Sequence, residues 1–179
     1  MKHRIIHTLL IAIILSACAP IPAPTPTLTP TPGTGNWQVT TDTSTIDDSQ
    51  TVTLALDADS EIQGWLDKFL PTLIIRCKEH KIDVYIFTGT PTLVESETDI
   101  STVRVRFDKE DAQTLKMDNS TNGKSLFFQD PQAILYSGIL THKTMIFEFT
   151  PFNASPDNTS FDLHGINEAI TPLKKSCSL

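Results

Sequence analysis

The sequence predicts a mainly β domain of the α+β class, with antiparallel sheets in a sandwich or barrel-like arrangement and two short packed helices, the second at the C-terminus. The first observation behind this prediction is an alternation of apolar and polar residues that recurs between residues 52 and 149. The second is a pair of short segments whose apolar residues have helical spacing. Because the chain has 179 residues, we expect one domain of ordinary size.

The alternating segments predict the main strands of the sheet. A turn at residues 78–81 is expected to join two of them as a hairpin, and shorter strands are predicted at residues 126–128 and 161–163. Polar stretches with turn residues predict loops at residues 91–102 and 109–124. In chain order, the alternating apolar residues are Val52, Leu54 and Leu56; Leu73, Ile75 and Cys77; Ile82, Val84 and Ile86; Val103, Val105 and Phe107; Met145, Phe147 and Phe149.

Two helices are predicted to interrupt the strands. Asp130 followed by Pro131 is typical of a helix start, because aspartate caps the first turn and proline fits its first position. In the second helix, Pro172 removes a backbone donor, so we expect a kink or a restart with Thr171 as the cap. The apolar residues of the first helix are Ile134, Leu135, Ile139 and Leu140, and those of the second are Ile166, Ala169, Ile170, Leu173 and Cys177.

The N-terminus has the organisation of an export signal. A basic head precedes an apolar run at residues 8–17, which is too short to span a bilayer as a helix. Leu15-Ser16-Ala17-Cys18 resembles the bacterial lipobox, so residues 1–17 are predicted to be a lipoprotein signal peptide and Cys18 the lipidated residue. A generic signal peptide is the alternative. The expected location is the bacterial cell envelope, with the lipoprotein facing the periplasm or the cell exterior and two acyl chains holding it to the membrane.

Residues 18–36 are predicted to comprise the lipidated cysteine and a Pro/Thr-rich tether that follows it. Proline at alternate positions favours an extended polyproline II conformation, which acts as a semi-rigid spacer. A recognition motif for a proline-binding module is the alternative interpretation. Residues 37–179 are then the single β-rich domain.

The net charge bears on the class of partner. The chain has 14 Lys and Arg residues against 21 Asp and Glu residues, a formal charge of −7. A nucleic-acid partner is not expected, because there is no excess of cations to neutralise phosphates. The expected partners are a membrane, through the lipid anchor, and an unidentified envelope or extracellular protein.

Two cysteines remain besides Cys18. Cys77 lies at a core-facing strand position and Cys177 on the apolar side of the last helix, so a disulfide between them is predicted in an oxidising compartment. One alternative is a zinc site completed by His80 and His164. Another is a Cys77–His80 nucleophile pair, which burial of the cysteine on a core-facing strand disfavours.

No recognisable catalytic motif occurs in the sequence. It contains no Gly-x-Ser-x-Gly, no phosphate-binding loop and no His-Glu-x-x-His, so no catalytic residue, cofactor or metal is predicted. A cluster of acidic residues lacks the spacing of a calcium-binding loop and is interpreted as solvated turns, with a calcium site as the alternative. Its members are Asp42, Asp47, Asp48, Asp57, Asp59 and Glu61.

Charged residues on the predicted strands form a candidate partner-binding surface. Arg76, Arg104, Arg106 and Asp108 interrupt otherwise apolar strands of an acidic chain. The alternatives are a solvated sheet face and an ion pair between Arg106 and Asp108 along one strand.

The sequence also resembles the type VI secretion system-associated VasI/TagO family. The resemblance is carried by Asp47-Asp48-Ser49, Pro71 to Cys77, Arg106-Phe107-Asp108, and Phe161 to Ile166 before a terminal Cys177. It implies an envelope-associated accessory protein without known catalytic residues. The predicted function is therefore a non-enzymatic, lipid-anchored extracytoplasmic accessory or binding domain, and the alternative is an exported hydrolase whose site the sequence does not reveal.

Overall fold

The computed structural model describes residues 33–95 and 98–178. The predicted signal peptide, Cys18 and the tether up to residue 32 lie outside these residues. The strands are β1 (Gln38–Thr43), β2 (Gln50–Asp57), β3 (Ile62–Gln63), β4 (Lys68–Phe69), β5 (Thr72–Lys78), β6 (Lys81–Phe87), β7 (Ile100–Phe107), β8 (Gln113–Asn119), β9 (Ser125–Phe128), β10 (Thr144–Phe149) and β11 (Asp157–Asp162). The helices are α1 (Pro131–Ala133), a π-helix (Ile134–Ile139), α2 (Ile166–Ala169) and α3 (Thr171–Cys177).

The fold is mainly antiparallel β with two short helical regions, as predicted. Nine strands form one continuous sheet in the order β1-β2-β5-β6-β9-β8-β7-β10-β11, while β3 and β4 pair separately as a hairpin. Every neighbouring pair in the large sheet is antiparallel. None of the described helices is both long enough and apolar enough to cross a bilayer.

One face of the sheet supplies the core. Leu54 pairs with Ile75, and Ile75 pairs with Val84, so their side chains lie side by side on the same face. All three are almost completely buried, as are Phe147 and Phe161 on the far strands. Since each such side chain contributes roughly 1.5–3 kcal/mol when fully buried, the predicted alternation also identifies the main source of stability.

The sheet curls until its two ends meet. Beyond β2, the Asp59 amide donates to the Ser160 carbonyl of the last strand at 2.8 Å, and the Ser160 hydroxyl donates to the Asp59 carboxylate at 2.6 Å. The Thr159 hydroxyl donates to the Ser60 carbonyl at 2.8 Å. Because these bonds join the segment after β2 to the last strand, the arrangement is barrel-like.

A close backbone crossing accompanies this closure. Gly35 and Gly165 both have positive φ, at 58° and 85°, and a Cβ atom on either would overlap the backbone of the other segment. Thr34 is buried beside them. Packing therefore begins before Trp37, where the sequence places the start of the domain.

Helix α3 packs against β2 and β5, and the predicted disulfide joins it to β5. The Cα atoms of Cys77 and Cys177 are 5.9 Å apart, and the bridge closes a sequence separation of 100 residues. The helix restarts near Pro172 as predicted, but Thr171 is not its cap. Thr171 is the first residue of α3, and Ile170 before it has helical φ and ψ of −75° and −11°, so the chain lacks the extended conformation that a side-chain cap requires.

The first helical region begins as predicted and then widens. The Ala133 amide donates to the Asp130 carboxylate at 2.9 Å. After one turn the helix becomes a π-helix, and the Leu140 amide donates to the Leu135 carbonyl five residues earlier at 3.0 Å. Gly138 lies against the Phe107 ring with no room for a Cβ atom, so the wider turn brings its backbone close to the sheet.

Two predicted loops are partly wrong. Residues 113–119 of the predicted loop 109–124 form β8, and residues 100–102 of the predicted loop 91–102 belong to β7. Strand β8 has only two apolar residues, Leu115 and Met117, and it depends on main-chain pairing with β7 and β9. The unpredicted β1 is an edge strand with mostly exposed side chains, so it also lacks the apolar alternation.

We predict that Cys177→Ser lowers the free energy of unfolding by about 4 kcal/mol, because the bridge restrains a loop of 100 residues in the unfolded chain. Urea unfolding of the oxidised protein measures the loss. Wild type unfolded with a reductant is the matched control and should behave like the variant. Equal stability of the oxidised and reduced wild-type proteins would contradict this role for the bridge.

Candidate functional site

An insertion between β2 and β5 carries the most exposed aromatic side chain of the described residues. Its β3–β4 hairpin turns through Gly64-Trp65-Leu66-Asp67, and the Gly64 amide donates to the Asp67 carbonyl at 2.9 Å. Trp65 is 58% exposed and Leu66 is 77% exposed. The Gln63 amide donates to the Asp157 carboxylate at 2.8 Å, which holds the hairpin against the start of β11.

Phe152 and Pro91 extend this exposed surface. The rings of Trp65 and Phe152 meet edge to face with centroids 6.4 Å apart, and Phe152 is 52% exposed. The Phe152 amide donates to the Pro91 carbonyl at 2.8 Å, so the two loops are fixed to each other. We call Trp65, Leu66, Pro91 and Phe152 the apolar patch; its side chains surround a shallow pocket of about 370 Å³.

A larger cleft lies between β8 and the first helical region. Its volume is about 450 Å³. Apolar residues, among them Phe107, Phe128 and Ile134, form its floor, and polar residues, among them Glu110, Lys116, Asp130 and Ser137, form its rim. Phe107 and Phe128 are largely buried, so the floor is continuous with the core.

His142 and Glu110 form a polar pair beside this cleft. The Nδ1 atom of His142 lies 2.8 Å from the Gly138 carbonyl, Nε2 lies 3.2 Å from the Glu110 carboxylate, and the ring stacks on Phe107. The hydrogen bond to the Gly138 carbonyl raises the pKa of His142, and the carboxylates of Glu110 and Asp108 raise it further. The His142 imidazole therefore ties the end of the π-helix to the turn after β7.

The predicted charged surface is not continuous. Arg76 lies 2.6 Å from the Asp83 carboxylate and over the Tyr85 ring, while Arg104 lies 3.1 Å from the Glu148 carboxylate. Three strands separate β5 from β7, which places Arg76 roughly 19 Å from Arg104 along the sheet. Arg76 therefore belongs to another part of the surface.

The remaining two predicted residues have different surroundings. Arg106 is exposed and shares the outer face of β7 with Arg104. The Asp108 carboxylate accepts hydrogen bonds from the backbone amides of Lys143 and Thr144, at 3.0 and 2.9 Å. Asp108 thus holds the turn after β7, and the structure brings together only Arg104 and Arg106.

The residues that the sequence offered as metal ligands make other bonds in the structure. Cys77 and Cys177 are oxidised, His80 Nδ1 lies 3.1 Å from the Ser176 carbonyl, and His164 bonds to Asp162. In the acidic cluster, hydrogen bonds from Ser44 and Ser49 lower the pKa of Asp47. Across residues 33–95 and 98–178, no three His, Cys, Asp or Glu side chains are grouped as metal ligands.

Sequence reasoning missed both the apolar patch and the cleft. A tryptophan and a leucine inside a Gly-Trp-Leu-Asp turn were a usable signal for the patch, because large apolar residues are unusual in an exposed turn. The cleft had no comparable signal, since its lining comes from β7, β8, β9 and the π-helix. Only the fold brings these residues together.

Comparisons with known proteins identify a similar fold. No protein-family model matches the sequence, and no curated protein matches it. The crystal structure of invasion associated protein B from Bartonella henselae is similar, with a TM-score of 0.53 and 13% identity, over 86% of this chain and 100% of that one. At this identity the likeness concerns the fold alone, and the resemblance to VasI/TagO stays a prediction.

We predict that the domain loses stability as the pH rises above about 6.5, because His142 has a raised pKa in the folded state. Its contribution is complete below the ordinary histidine pKa and disappears as the pH passes the raised value. Melting temperatures between pH 5.5 and 8.5 measure the effect. The decline should be smaller in His142→Gln and intermediate in Glu110→Gln; an unchanged profile in His142→Gln would contradict it.

Proposed function

We propose that this protein is a lipid-anchored extracytoplasmic binding module, whose domain binds a protein of the bacterial envelope and has no enzymatic activity. The observation that carries the proposal is the apolar patch. Exposed apolar groups gathered on one surface mark interaction sites, and tryptophan is among the residues that most often dominate binding energy.

The patch is suited to binding because its backbone is already fixed. Hydrogen bonds hold the hairpin to Asp157 and the Phe152 loop to Pro91. A partner would therefore cover Trp65, Leu66 and Phe152 without first ordering two loops, which lowers the entropic cost of binding. Burial of their exposed apolar area would contribute about 25 cal/mol per Å².

The lipobox and the tether supply the location in this proposal. Acyl chains on Cys18 would hold the protein to a membrane. At about 3.1 Å per residue, the Pro/Thr-rich segment would let the domain reach roughly 40–50 Å from the bilayer. A partner in the envelope or at the cell surface fits this reach, and an accessory role of the kind that the VasI/TagO resemblance implies belongs to the same proposal.

An exported hydrolase is the alternative, and the cleft is where its site would lie. Two carboxylates line that cleft, but Glu110 is bonded to His142, and Asp130 caps helix α1. These bonds give both groups structural roles, which favours binding over catalysis.

The lipid anchor has its own test. We predict that Cys18→Ala moves the protein from the membrane fraction to the soluble fraction of the bacterium, because the variant cannot be acylated at this position. Fractionation and mass analysis of the mature N-terminus measure the change. A variant that still sediments with the membrane would show that Cys18 is not the anchor.

The binding role is tested by changing the apolar patch. We predict that Trp65→Ser combined with Phe152→Ser reduces recovery of the main co-purifying envelope protein at least tenfold, with little change in melting temperature, because both side chains are largely exposed. The measurement is affinity capture from the native envelope.

Ile46→Ser is the matched control, because Ile46 is 95% exposed and lies outside the patch. This variant should capture the envelope protein as wild type does.

Charge reversal at Arg104 and Arg106 tests the predicted charged surface in the same experiment. Capture that survives the patch changes and disappears with the arginine changes would move the site to β7. Turnover of an envelope polymer by the purified protein would defeat the non-enzymatic proposal.

A further inference from the structure

We infer that the cleft beside β8 is a strand-addition site for an extended peptide segment in which apolar and basic side chains alternate. This site is separate from the apolar patch and does not depend on the lipid anchor. The inference rests on the main-chain hydrogen bonds of β8, on the early end of β9, and on the charge and lining of the cleft.

The pairing of β8 with β7 shows where its main-chain groups point. The Asn119 amide donates to the Asp99 carbonyl at 2.7 Å. In an antiparallel pair, alternate residues exchange such bonds, and the register pairs Leu115 with Val103 and Gln113 with Val105. The odd-numbered residues of β8 therefore bond to β7, and the N–H and C=O groups of Thr114 point to the opposite edge.

Strand β9 covers only part of that edge. It pairs with Met117–Asn119 and ends at Phe128, after which the chain turns into helix α1. Within residues 33–95 and 98–178, no strand pairs with Thr114 on this side. An edge with free main-chain donors and acceptors is a template for another strand.

The cleft occupies the place that the missing strand would take. Four consecutive residues of β8, Gln113–Lys116, line it. Gln113 and Leu115 point to the inner face of the sheet, as Phe107 and Phe128 do, whereas Thr114 and Lys116 point to the outer face. A cavity that touches all four residues of β8 therefore extends from the inner face to the free edge of the strand. Its volume of about 450 Å³ is within the ordinary range of ligand sites.

The lining indicates which side chains such a peptide would carry. Phe107, Phe128 and Ile134 offer an apolar floor. The Lys116 ammonium is paired with Glu95 and the Glu110 carboxylate with His142, so among the described residues Asp130 is the charged group of the rim without an ion-pair partner. The charge that the rim offers is therefore negative, and a basic side chain complements it.

A partner segment fits this chemistry better than the chain's own tether. The sequence between Cys18 and Gly33 has no Lys or Arg to meet the carboxylate of Asp130. Its prolines also favour the polyproline II conformation over a β-strand. The occupant is therefore a basic, β-forming segment of another protein.

Hydrogen exchange with a defined probe tests the geometry. The probe is a fluorescein-labelled heptapeptide, Lys-Val-Lys-Val-Lys-Val-Lys, added to the full chain carrying Cys18→Ala. At saturation, exchange of the Thr114 amide should slow at least tenfold, because the peptide supplies its missing acceptor. The Gln113 and Leu115 amides already bond to β7 and should change little.

Two substitutions at one position separate main-chain bonding from other effects. Thr114→Pro removes the free N–H but leaves the bonds to β7, and it should weaken peptide binding at least tenfold in fluorescence anisotropy. Thr114→Val keeps the N–H and should bind within twofold of wild type. If Thr114→Pro does not fold, two forms of the probe test the same bonds, one N-methylated at every Val and the other at every internal Lys. Because alternate amides point to opposite edges of a strand, one form should not bind and the other should bind as the unmodified probe does; equal binding of the two forms would overturn the inference.

A second peptide tests whether binding requires the alternation of basic and apolar residues. It has the same composition as the probe, but its lysines and valines are grouped in two blocks. It should bind at least tenfold more weakly than the alternating probe. Equal affinity of the two peptides would reduce the interaction to charge attraction and overturn the inference. Unchanged exchange at Thr114 with bound probe, or equal affinity of the Thr114→Pro and Thr114→Val variants, would overturn it as well.

Discussion

The closing of the sheet on itself is the constraint on which the domain depends. A nine-stranded antiparallel sheet with one apolar face has to bury that face, and the helical segments within residues 33–95 and 98–178 are too short to cover all of it. The chain solves this by curling, so that Asp59 and Ser60 after β2 bond to Ser160 and Thr159 of β11. Gly35 and Gly165 permit the backbones to cross at this closure, since a Cβ atom on either would overlap the other segment.

Both candidate binding surfaces arise where this closed sheet is irregular. The segment that leaves β2 to reach β11 continues into the β3–β4 hairpin, which presents Trp65 and Leu66 to solvent. Elsewhere, β9 has only four residues, so β8 retains an uncovered edge. The π-helix packs beside that edge through Gly138 and Phe107, and the cleft is the space that remains.

The parts of the fold that were predictable are those in which side-chain burial follows local periodicity. Leu54, Ile75 and Phe147 alternate with polar residues and are buried, and Asp130 caps the helix that it was expected to cap. The pairing of Cys77 with Cys177 was predicted from their positions and from the compartment that the N-terminus indicates, and the disulfide is present. In contrast, β8 depends on main-chain pairing between distant residues, which leaves little trace in its side chains.

The candidate sites were harder to predict because they also depend on how distant strands pair. Arg76 and Arg104 look alike in sequence, yet the strand order separates them, and each is engaged with its own carboxylate. Asp108 proved to be a structural acceptor for two amides. The free edge at Thr114 is a property of register and strand length, so it becomes visible only when the neighbouring strands are placed.

Site-specific photocrosslinking in living cells tests the proposed binding role most directly. A photoreactive phenylalanine analogue placed at Leu66 reports on the apolar patch, and the same analogue at Ile46 reports on an exposed position elsewhere. Our account predicts a discrete crosslinked envelope protein from position 66 and none from position 46. The same products from both positions, or no product from position 66, would contradict it.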